Sequence, residues 1–179
     1  MSILVARNKQ GIVTKKGDGG YTYVYSGDKL SKDDLKLEAV GTMDELSSFL
    51  GMAKSLVKDK RGKNILEKIQ KDLFNLESQI SGMDSRKLKS KISSRNIRYL
   101  EDRIKKLEKK FPFKDFVLSG GNLVSSVLYI TCSIARRLER RIVALRNKEK
   151  LKAKNILIYL NRLSDLIFLL ACKYGSEPL

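Results

Sequence analysis

Two arginines one helical turn apart, Arg136 and Arg140, are the residues of this sequence best suited to bind an anionic ligand. They lie in segment 125–145, where apolar residues recur every three or four positions, which is the pattern of a helix with one buried stripe. Cys132 precedes them on the same face and Glu139 follows Arg136 by three positions, so two guanidinium groups and one carboxylate can converge on a shared ligand. The pattern predicts a core helix with a phosphate clamp. It is also typical of a solvated charged face with intrahelical ion pairs.

A second candidate for phosphate binding is the segment 11–22, where glycines alternate with lysines, an aspartate and hydroxyl side chains. Such a segment can turn sharply, bring its backbone N–H groups against phosphate oxygens and add lysine charge. It matches neither the P-loop nor the Gly-x-Gly-x-x-Gly pattern. A plain lysine- and glycine-rich turn is the alternative interpretation.

The composition narrows the classes of function. Against 20 acidic residues the chain has 37 Lys plus Arg, for a net charge of +17, which favours encounter with polyanions of any kind. There is no histidine, so histidine base catalysis and histidine-ligated metals are excluded.

The compartment is inferred from the cysteines and the apolar runs. Cys132 and Cys172 both fall in helical patterns and no secretory leader is recognisable, which indicates free thiols in a reducing compartment. The longest apolar run, 166–172, is too short to span a bilayer. We therefore expect a cytoplasmic protein.

The elements that position these residues are predicted to be helices. Ser31–Asp34 resembles a helix start, and Thr42-x-x-Glu45 has the form of a capping box that opens a first long helix. Further helices are predicted at about 63–83, 94–110, 125–145 and 151–174, with little strand beyond a possible short one near Tyr23. The predicted fold is all-α: a five-helix bundle with an irregular N-terminal arm, forming one domain over 1–179, with the arm at 1–30 and the bundle at 33–174.

Five separated segments together resemble the PduO-type ATP:cob(I)alamin adenosyltransferase family. The arm, 14–22, is similar to that family's Thr-Arg/Lys-x-Gly-Asp-x-Gly-x-Thr motif; segments 32–34 and 38–48 are similar to its next block. Segment 136–140 resembles its Arg-Arg-Ala-Glu-Arg motif, and 160–165 its closing motif. The matches keep family order from about residue 13 to 174.

The resemblance implies a homotrimer with active sites between subunits, binding ATP with Mg²⁺ and a reduced corrinoid. Lys32, Arg136 and Arg140 would be the catalytic residues, and Asp44 and Phe116 would shape the corrin pocket. The residues implied in ATP binding are Thr14, Lys15, Lys16, Gly17, Asp18, Gly20, Tyr21, Thr22, Lys32, Arg136, Arg137, Glu139, Arg140 and Asn161. No protein ligand to a metal is predicted. A reductase or an adenosylcobalamin-dependent enzyme would be a further partner, while membrane and nucleic acid are not expected.

The family reaction suits the residues present. Reduced cobalt attacks the 5' carbon of ATP and expels triphosphate, so the protein needs cations rather than a nucleophile or a strong base. On the family pattern Phe116 blocks the lower face of the corrin, and a chain without histidine supplies no imidazole to replace the axial ligand.

The sequence departs from the family at three positions. Cys132 stands where the family usually has an arginine that partners Asp44, Ser119 replaces a proline, and Tyr129 replaces a common histidine. We expect either that another lysine or arginine reaches Asp44 or that the chain binds corrin weakly.

Two other functions remain open at this stage. The first is a corrinoid or ATP carrier or sensor of the same fold that does not turn over. The second is a basic helical protein that binds nucleic acid, supported by the net charge and by lysines near 86–91, 105–110 and 146–154.

Overall fold

The computed structural model describes residues 13, 15–24, 26–82, 91–110, 117–149 and 153–175. Within these ranges it contains a two-stranded antiparallel hairpin and five helices, which confirms the predicted all-α bundle. The strands are β1 (Tyr21–Tyr23) and β2 (Lys29–Ser31), and the helices are α1 (Leu35–Leu56), α2 (Lys60–Ile80), α3 (Ser94–Glu108), α4 (Leu123–Glu149) and α5 (Lys154–Gly175).

Helix α4 lies at the centre of the bundle because it packs against both α1 and α5. Its apolar stripe, including Leu128, Leu138 and Ile142, is fully buried. The antiparallel α4–α5 register is fixed by two hydrogen bonds, from Ser125 Oγ to the Ala171 carbonyl at 2.9 Å and from Cys132 Sγ to the Ser164 carbonyl at 3.3 Å. Burial of these stripes is the main favourable term in folding.

Helix α1 begins earlier than the capping-box pattern predicts. Asp34 is the N-cap, with its carboxylate accepting from the Lys36 N–H at 2.8 Å. Thr42 is buried inside the helix, and its hydroxyl donates to the Glu38 carbonyl at 2.7 Å. The predicted Thr42–Glu45 capping box is therefore wrong, because Gly41 does not interrupt the helix and Thr42 bonds back to the preceding turn.

A buried polar cluster joins three helices. Asp72 on α2 accepts hydrogen bonds from Asn96 Nδ2 on α3 at 2.9 Å and from the fully buried Tyr159 hydroxyl on α5 at 3.2 Å. Lys68 Nζ lies 2.5 Å from the same carboxylate. Burial, followed by the negative charge of Asp72, raises the pKa of Tyr159, so the phenol stays a neutral donor.

Helix α5 is long and apolar enough to cross a membrane by length and composition alone. Most of its apolar residues are buried against α3 and α4, including Leu163, Leu166 and Leu170. A mostly buried apolar helix of this kind is also what the core of a helical bundle requires.

The hairpin lies at the end of the bundle where α1 begins. Its turn is attached to the end of α2 by the Ser26 N–H, which donates to the Ser81 carbonyl at 3.3 Å. Two ion pairs of 3.3 Å, Asp34–Lys148 and Lys36–Glu149, bind the start of α1 to the last turn of α4. The arm is thus held at the C-terminal end of α4.

At the opposite end of the bundle, Asp59 caps α2 and anchors α5. Its carboxylate accepts from the Gly62 N–H at 2.8 Å and from the Tyr174 hydroxyl, and Lys173 Nζ lies 3.3 Å away. Burial on its own raises the pKa of Asp59, but these hydrogen bonds outweigh it and hold the pKa below the usual aspartate value.

We expect Asp59→Asn to reduce the acid sensitivity of the fold. A carboxylate with a depressed folded pKa contributes stability that is present above its unfolded pKa of about 3.9 and is lost as pH falls through the folded value. The variant should unfold at a lower temperature than the wild type at neutral pH, with a difference that shrinks below about pH 4. Thermal unfolding across this range measures it, with Asp102→Asn on the exposed face of α3 as the control. A difference that stays constant with pH would contradict the assignment.

Candidate functional site

The arginines of α4 divide into two sets with different environments. Arg137 and Arg141 face α1, where Arg137 pairs with Glu45 and Arg141 lies 2.6 Å from Glu38. Arg141 also donates to the Glu38 carbonyl at 3.0 Å. These bonds lie along the seam between α1 and α4 and fix the rotation of α4 about its axis.

That rotation turns Arg136 and Arg140 outward. Both are exposed, and neither forms an ion pair or hydrogen bond with the described residues. Unpaired guanidinium groups one turn apart, on a rigid helix, are well placed to bind an external polyanion through bidentate contacts. The alternative of intrahelical pairing does not apply to these two side chains within the described part of the chain, although it remains open for the other charged runs.

Asn161 and Glu139 lie beside this pair. The α4–α5 register, set by Cys132 against Ser164, brings Asn161 to the level of Arg136 on the neighbouring helix. Asn161 is exposed, and its amide oxygen accepts from Arg162 at 2.7 Å. Glu139 is half-buried between the two arginines in sequence. The structure therefore groups four predicted nucleotide-site residues on one surface.

The arm forms a compact turn that leads into β1. The Asp18 N–H donates to the Lys15 carbonyl and the Gly20 N–H to the Gly17 carbonyl, both at 3.3 Å. Lys15 has a φ of 56°, in the left-handed region. A left-handed residue in a tight turn can direct neighbouring backbone N–H groups toward an anion.

Lys32, after the hairpin, folds back over that turn. Its N–H donates to the Gly20 carbonyl at 2.9 Å, and its Nζ lies 3.2 Å from the place a side chain at Gly17 would occupy. A larger residue at position 17 would push the ammonium group away. The hairpin thus brings Lys32 to the arm. Of the other arm residues, Thr22 is half-buried, Tyr21 is exposed under Lys29, and Thr14 lies outside the described residues.

The arm and the arginines of one chain lie at different levels of the bundle. The arm joins α1 at Asp34, which pairs with Lys148 at the end of α4. Arg136 precedes Lys148 by twelve residues, which is about 18 Å along a helix, and Arg140 by eight, about 12 Å. The attachment point of the arm and the two arginines of one chain are therefore offset along the axis of α4.

The exposed side of α4 changes character along its length. Near its start, Leu123 and Ile130 are exposed by 60% and 47%, and Leu118 of the preceding loop by 75%. Arg136 follows Ile130 by six residues, which places it about 9 Å along the axis and about 120° around it. The start of α4 therefore exposes side chains suited to an apolar group, and an adjacent face further along the helix exposes cations suited to a polyanion.

Of the two residues predicted for the corrin pocket, Asp44 lies within the described part of the chain and Phe116 does not. Asp44 is half-buried on α1, next to Glu45 and thus beside the α1–α4 seam. Phe116 lies outside the described residues, although the loop that follows it is described from Val117 onward.

Cys132 packs rather than facing a ligand. It is buried, its thiol donates to the Ser164 carbonyl, and burial raises its pKa although the nearby Arg136 opposes this. Tyr129 lies close by with its hydroxyl 3.4 Å from Cys172 Sγ. At these two positions, where the chain departs from the family pattern, the side chains complete the α4–α5 core.

Sequence reasoning missed the roles of Glu38, Glu45 and Arg141. The signal was available, because Glu38 and Glu45 are seven residues apart and so lie on one face of a helix that starts at Asp34. Because the capping-box pattern placed the start of the helix at Thr42, Glu45 was assigned to the helix cap. The error hid the ion pairs of Arg137 and Arg141 that set the orientation of α4 and so of Arg136 and Arg140.

Comparison with known proteins gives a consistent result. The family model for cobalamin adenosyltransferase matches residues 12–174. A corrinoid adenosyltransferase from Citrobacter freundii is 35% identical over 170 residues, covering 93% of this chain and 96% of that protein. One from Bacillus subtilis (strain 168) is 38% identical over 162 residues, covering 88% and 82%.

Solved structures agree with the sequence comparison. A variant PduO-type ATP:corrinoid adenosyltransferase from Lactobacillus reuteri, complexed with cobalamin and ATP, superposes with a TM-score of 0.83 at 34% identity, covering 92% of this chain and 93% of that one. A second variant of that enzyme, complexed with ATP, gives a TM-score of 0.82 at 35% identity, covering 92% and 94%.

Proposed function

The chain belongs to the cobalamin adenosyltransferase family and is a corrinoid adenosyltransferase, and from this we propose that its active site is assembled from two copies of the chain. The observation that carries the proposal is that Arg136 and Arg140 face outward and form no ion pair or hydrogen bond with the described residues. They lie twelve and eight residues before Lys148, whose partner Asp34 follows the arm of the same chain.

The reaction transfers the 5'-deoxyadenosyl group of ATP to the cobalt(I) of a reduced corrinoid. The cobalt electron pair forms the bond to the 5' carbon, the bond from that carbon to oxygen breaks, and triphosphate leaves with the electrons. No proton has to move in this step. The chain's lack of histidine is therefore no obstacle to the reaction.

In our proposal the protein contributes positioning and charge. The Arg136 and Arg140 guanidinium groups bind the triphosphate, and they stabilise the charge that grows on it as the carbon–oxygen bond breaks. Lys32 and the backbone of Lys15–Gly20 bind the same group from the arm, while Asn161 and Glu139 border the arginines. The apolar end of α4, with Asp44 and Phe116, receives the corrin.

Magnesium fits this donor set as a companion of ATP. The described residues contain no cluster of three carboxylate, cysteine or histidine groups that could hold a metal alone. Mg²⁺ typically binds substrate phosphates together with one or two carboxylates, and Asp18 on the arm and Glu139 on α4 are the carboxylates available for it. When bound, it would neutralise part of the triphosphate charge.

A composite site requires that the arm of one chain meets α4 of another. We propose a homotrimer, with the number of subunits taken from the family resemblance; a head-to-tail contact that closes into such a ring gives every copy the same site. Supporting this, an axial separation of about 12–18 Å lies between the arm's attachment and the two arginines of the same chain.

Mixing two inactive variants tests this arrangement. Lys32→Ala and Arg136→Ala should each be nearly inactive alone, but co-expressed in equal amounts they should recover about a quarter of the wild-type activity, since random assembly pairs an intact arm with an intact α4 at that frequency. A control mixture uses the double variant with either single variant, where no intact site forms. Activity that stays at the sum of the two parents would place both residues in one chain's site.

The activity itself is measured by mixing the protein with ATP, Mg²⁺ and chemically reduced cobalamin and following the corrin absorption spectrum. Adenosylcobalamin formation is the expected result. A changed spectrum without product would indicate a carrier, and no response would reopen nucleic-acid binding, which should then weaken steeply with salt.

We also propose the cellular setting and the internal division of the chain. Buried free thiols at Cys132 and Cys172 suit a reducing compartment, which supports a cytoplasmic location. The arm at 1–30 and the bundle at 33–174 form one functional unit in this proposal, because neither holds a complete nucleotide site. A reductase that supplies the reduced corrinoid, or an enzyme that uses the product, would be its partner.

A further inference from the structure

The loop before α4 rests directly on the end of α5. Gly121 has a φ of 95°, and a side chain there would meet the Gly175 carbonyl oxygen at 2.9 Å. A side chain at Gly175 would in turn meet Ser125 Oγ at 2.2 Å. Only glycine allows this backbone contact, so the contact fixes the position of the loop against the end of α5.

Asn122 joins the loop to both helices. Its Oδ1 accepts from the Ser125 N–H at 3.0 Å and so caps α4, while its Nδ2 donates to the Tyr174 carbonyl at 2.5 Å. The Tyr174 carbonyl is one of the last four of α5, which have no partner within the helix. A single amide side chain thus ties the start of α4 to the last turn of α5.

The position of Tyr174 is itself fixed, because its side-chain hydroxyl is also hydrogen-bonded. Its hydroxyl donates to Asp59, the cap of α2, and Lys173 Nζ lies 3.1 Å from the same hydroxyl. A side chain at Gly62 would come within 2.0 Å of that hydroxyl, so α2 and Tyr174 are in close contact. The chain of contacts runs from α2 through Tyr174 to Asn122 and the loop.

The free side of the loop is apolar. Val117 and Leu118 are exposed by 42% and 75%, and Leu123 in the first turn of α4 by 60%. In sequence the loop directly follows Phe116. Exposed apolar side chains on a backbone fixed in this position can form a rigid wall for a flat apolar ligand.

We propose that Asn122 is a positioning residue for the corrinoid. Its bond to the Tyr174 carbonyl holds loop 117–121 at the height where Val117 and Leu118 contact the corrin. This inference rests on the proposed function, since it assigns the ligand of the apolar surface from the reaction. Asn122 itself does not touch the reacting atoms.

Two substitutions separate the tether from the helix cap. Asn122→Asp and Asn122→Ser both keep an oxygen that can cap α4, but neither retains the Nδ2 donor to Tyr174. We expect the KM for reduced cobalamin to rise about three- to tenfold, the scale of one lost hydrogen bond, with the KM for ATP within about twofold of wild type. Steady-state kinetics with each substrate varied in turn provide the measurement, and thermal unfolding monitors the fold.

Asn64→Asp is the matched control, because Asn64 is exposed on α2 and has no hydrogen bond within the described residues. An unchanged KM for cobalamin in both Asn122 variants, beside an active wild type, would overturn the inference. A parallel rise of both KM values with a lowered Tm would also overturn it, because that result indicates general loosening. A wild type that forms no adenosylcobalamin would instead refute the proposed function, and this inference with it.

Discussion

Arg136→Ala is expected to lower kcat by at least about 10², with a smaller effect on the KM for ATP. The guanidinium group is exposed and unpaired within the described residues, so its removal leaves no buried charge behind and costs little stability. Its contribution lies in the transition state, where the departing triphosphate carries more charge than it does in bound ATP. Single-turnover and steady-state measurements with saturating ATP and reduced cobalamin separate chemistry from binding.

The control for this change is Arg146→Ala. Arg146 is exposed on the same helix, and among the described residues it hydrogen-bonds only to Asn147, at 3.2 and 3.3 Å. Arg146→Ala removes the same charge from the protein, but the substitution lies ten residues further along α4. Turnover should therefore stay near the wild-type value. Arg136→Lys retains the charge and loses the planar fork, and it should give an intermediate rate. An Arg136→Ala enzyme as fast as the Arg146 control would remove Arg136 from the mechanism.

Asp72→Ala is expected to destabilise the fold by about 3 kcal/mol. The carboxylate accepts from Tyr159 and Asn96 and pairs with Lys68, and it is almost completely buried. Without it, the fully buried Tyr159 hydroxyl loses its acceptor, and α2, α3 and α5 lose their common polar contact. Urea unfolding at fixed protein concentration should show the loss as a lower midpoint with an unchanged slope.

A double-mutant cycle identifies the cause of that loss. Tyr159→Phe should be costly in the wild type and much less so in the Asp72→Ala background, because the hydroxyl then has no partner to lose. Asp102→Ala, on the exposed face of α3, is the surface control and should stay within about 0.5 kcal/mol of wild type. Stability of Asp72→Ala equal to that of the control would show that the cluster contributes nothing net.

Much of the fold could be predicted from local sequence patterns. The apolar stripes around Leu138, Leu163 and Leu73 have a helical period, so α2 to α5 could be predicted from periodicity within a few residues of their observed bounds. The order of the family motifs located the arm and the arginine segment, since the residues of each motif are close together in the sequence. The start of α1 was placed wrongly because Thr42-x-x-Glu45 satisfies a local capping rule inside a longer helix.

The sequence by itself indicated candidate side chains for binding a triphosphate, since Arg136 and Arg140 are recognisable by type and spacing and Lys32 by resemblance to the family's motif. Only the tertiary structure decided that Arg136 and Arg140 face outward while Arg137 and Arg141 are held by Glu45 and Glu38. The hydrogen bond between Asn122 and Tyr174 could not be predicted from the sequence either, because it joins residues 52 positions apart. Such pairings depend on how α4 is rotated and aligned against α1 and α5, and that is set by packing of the whole core rather than by any local segment.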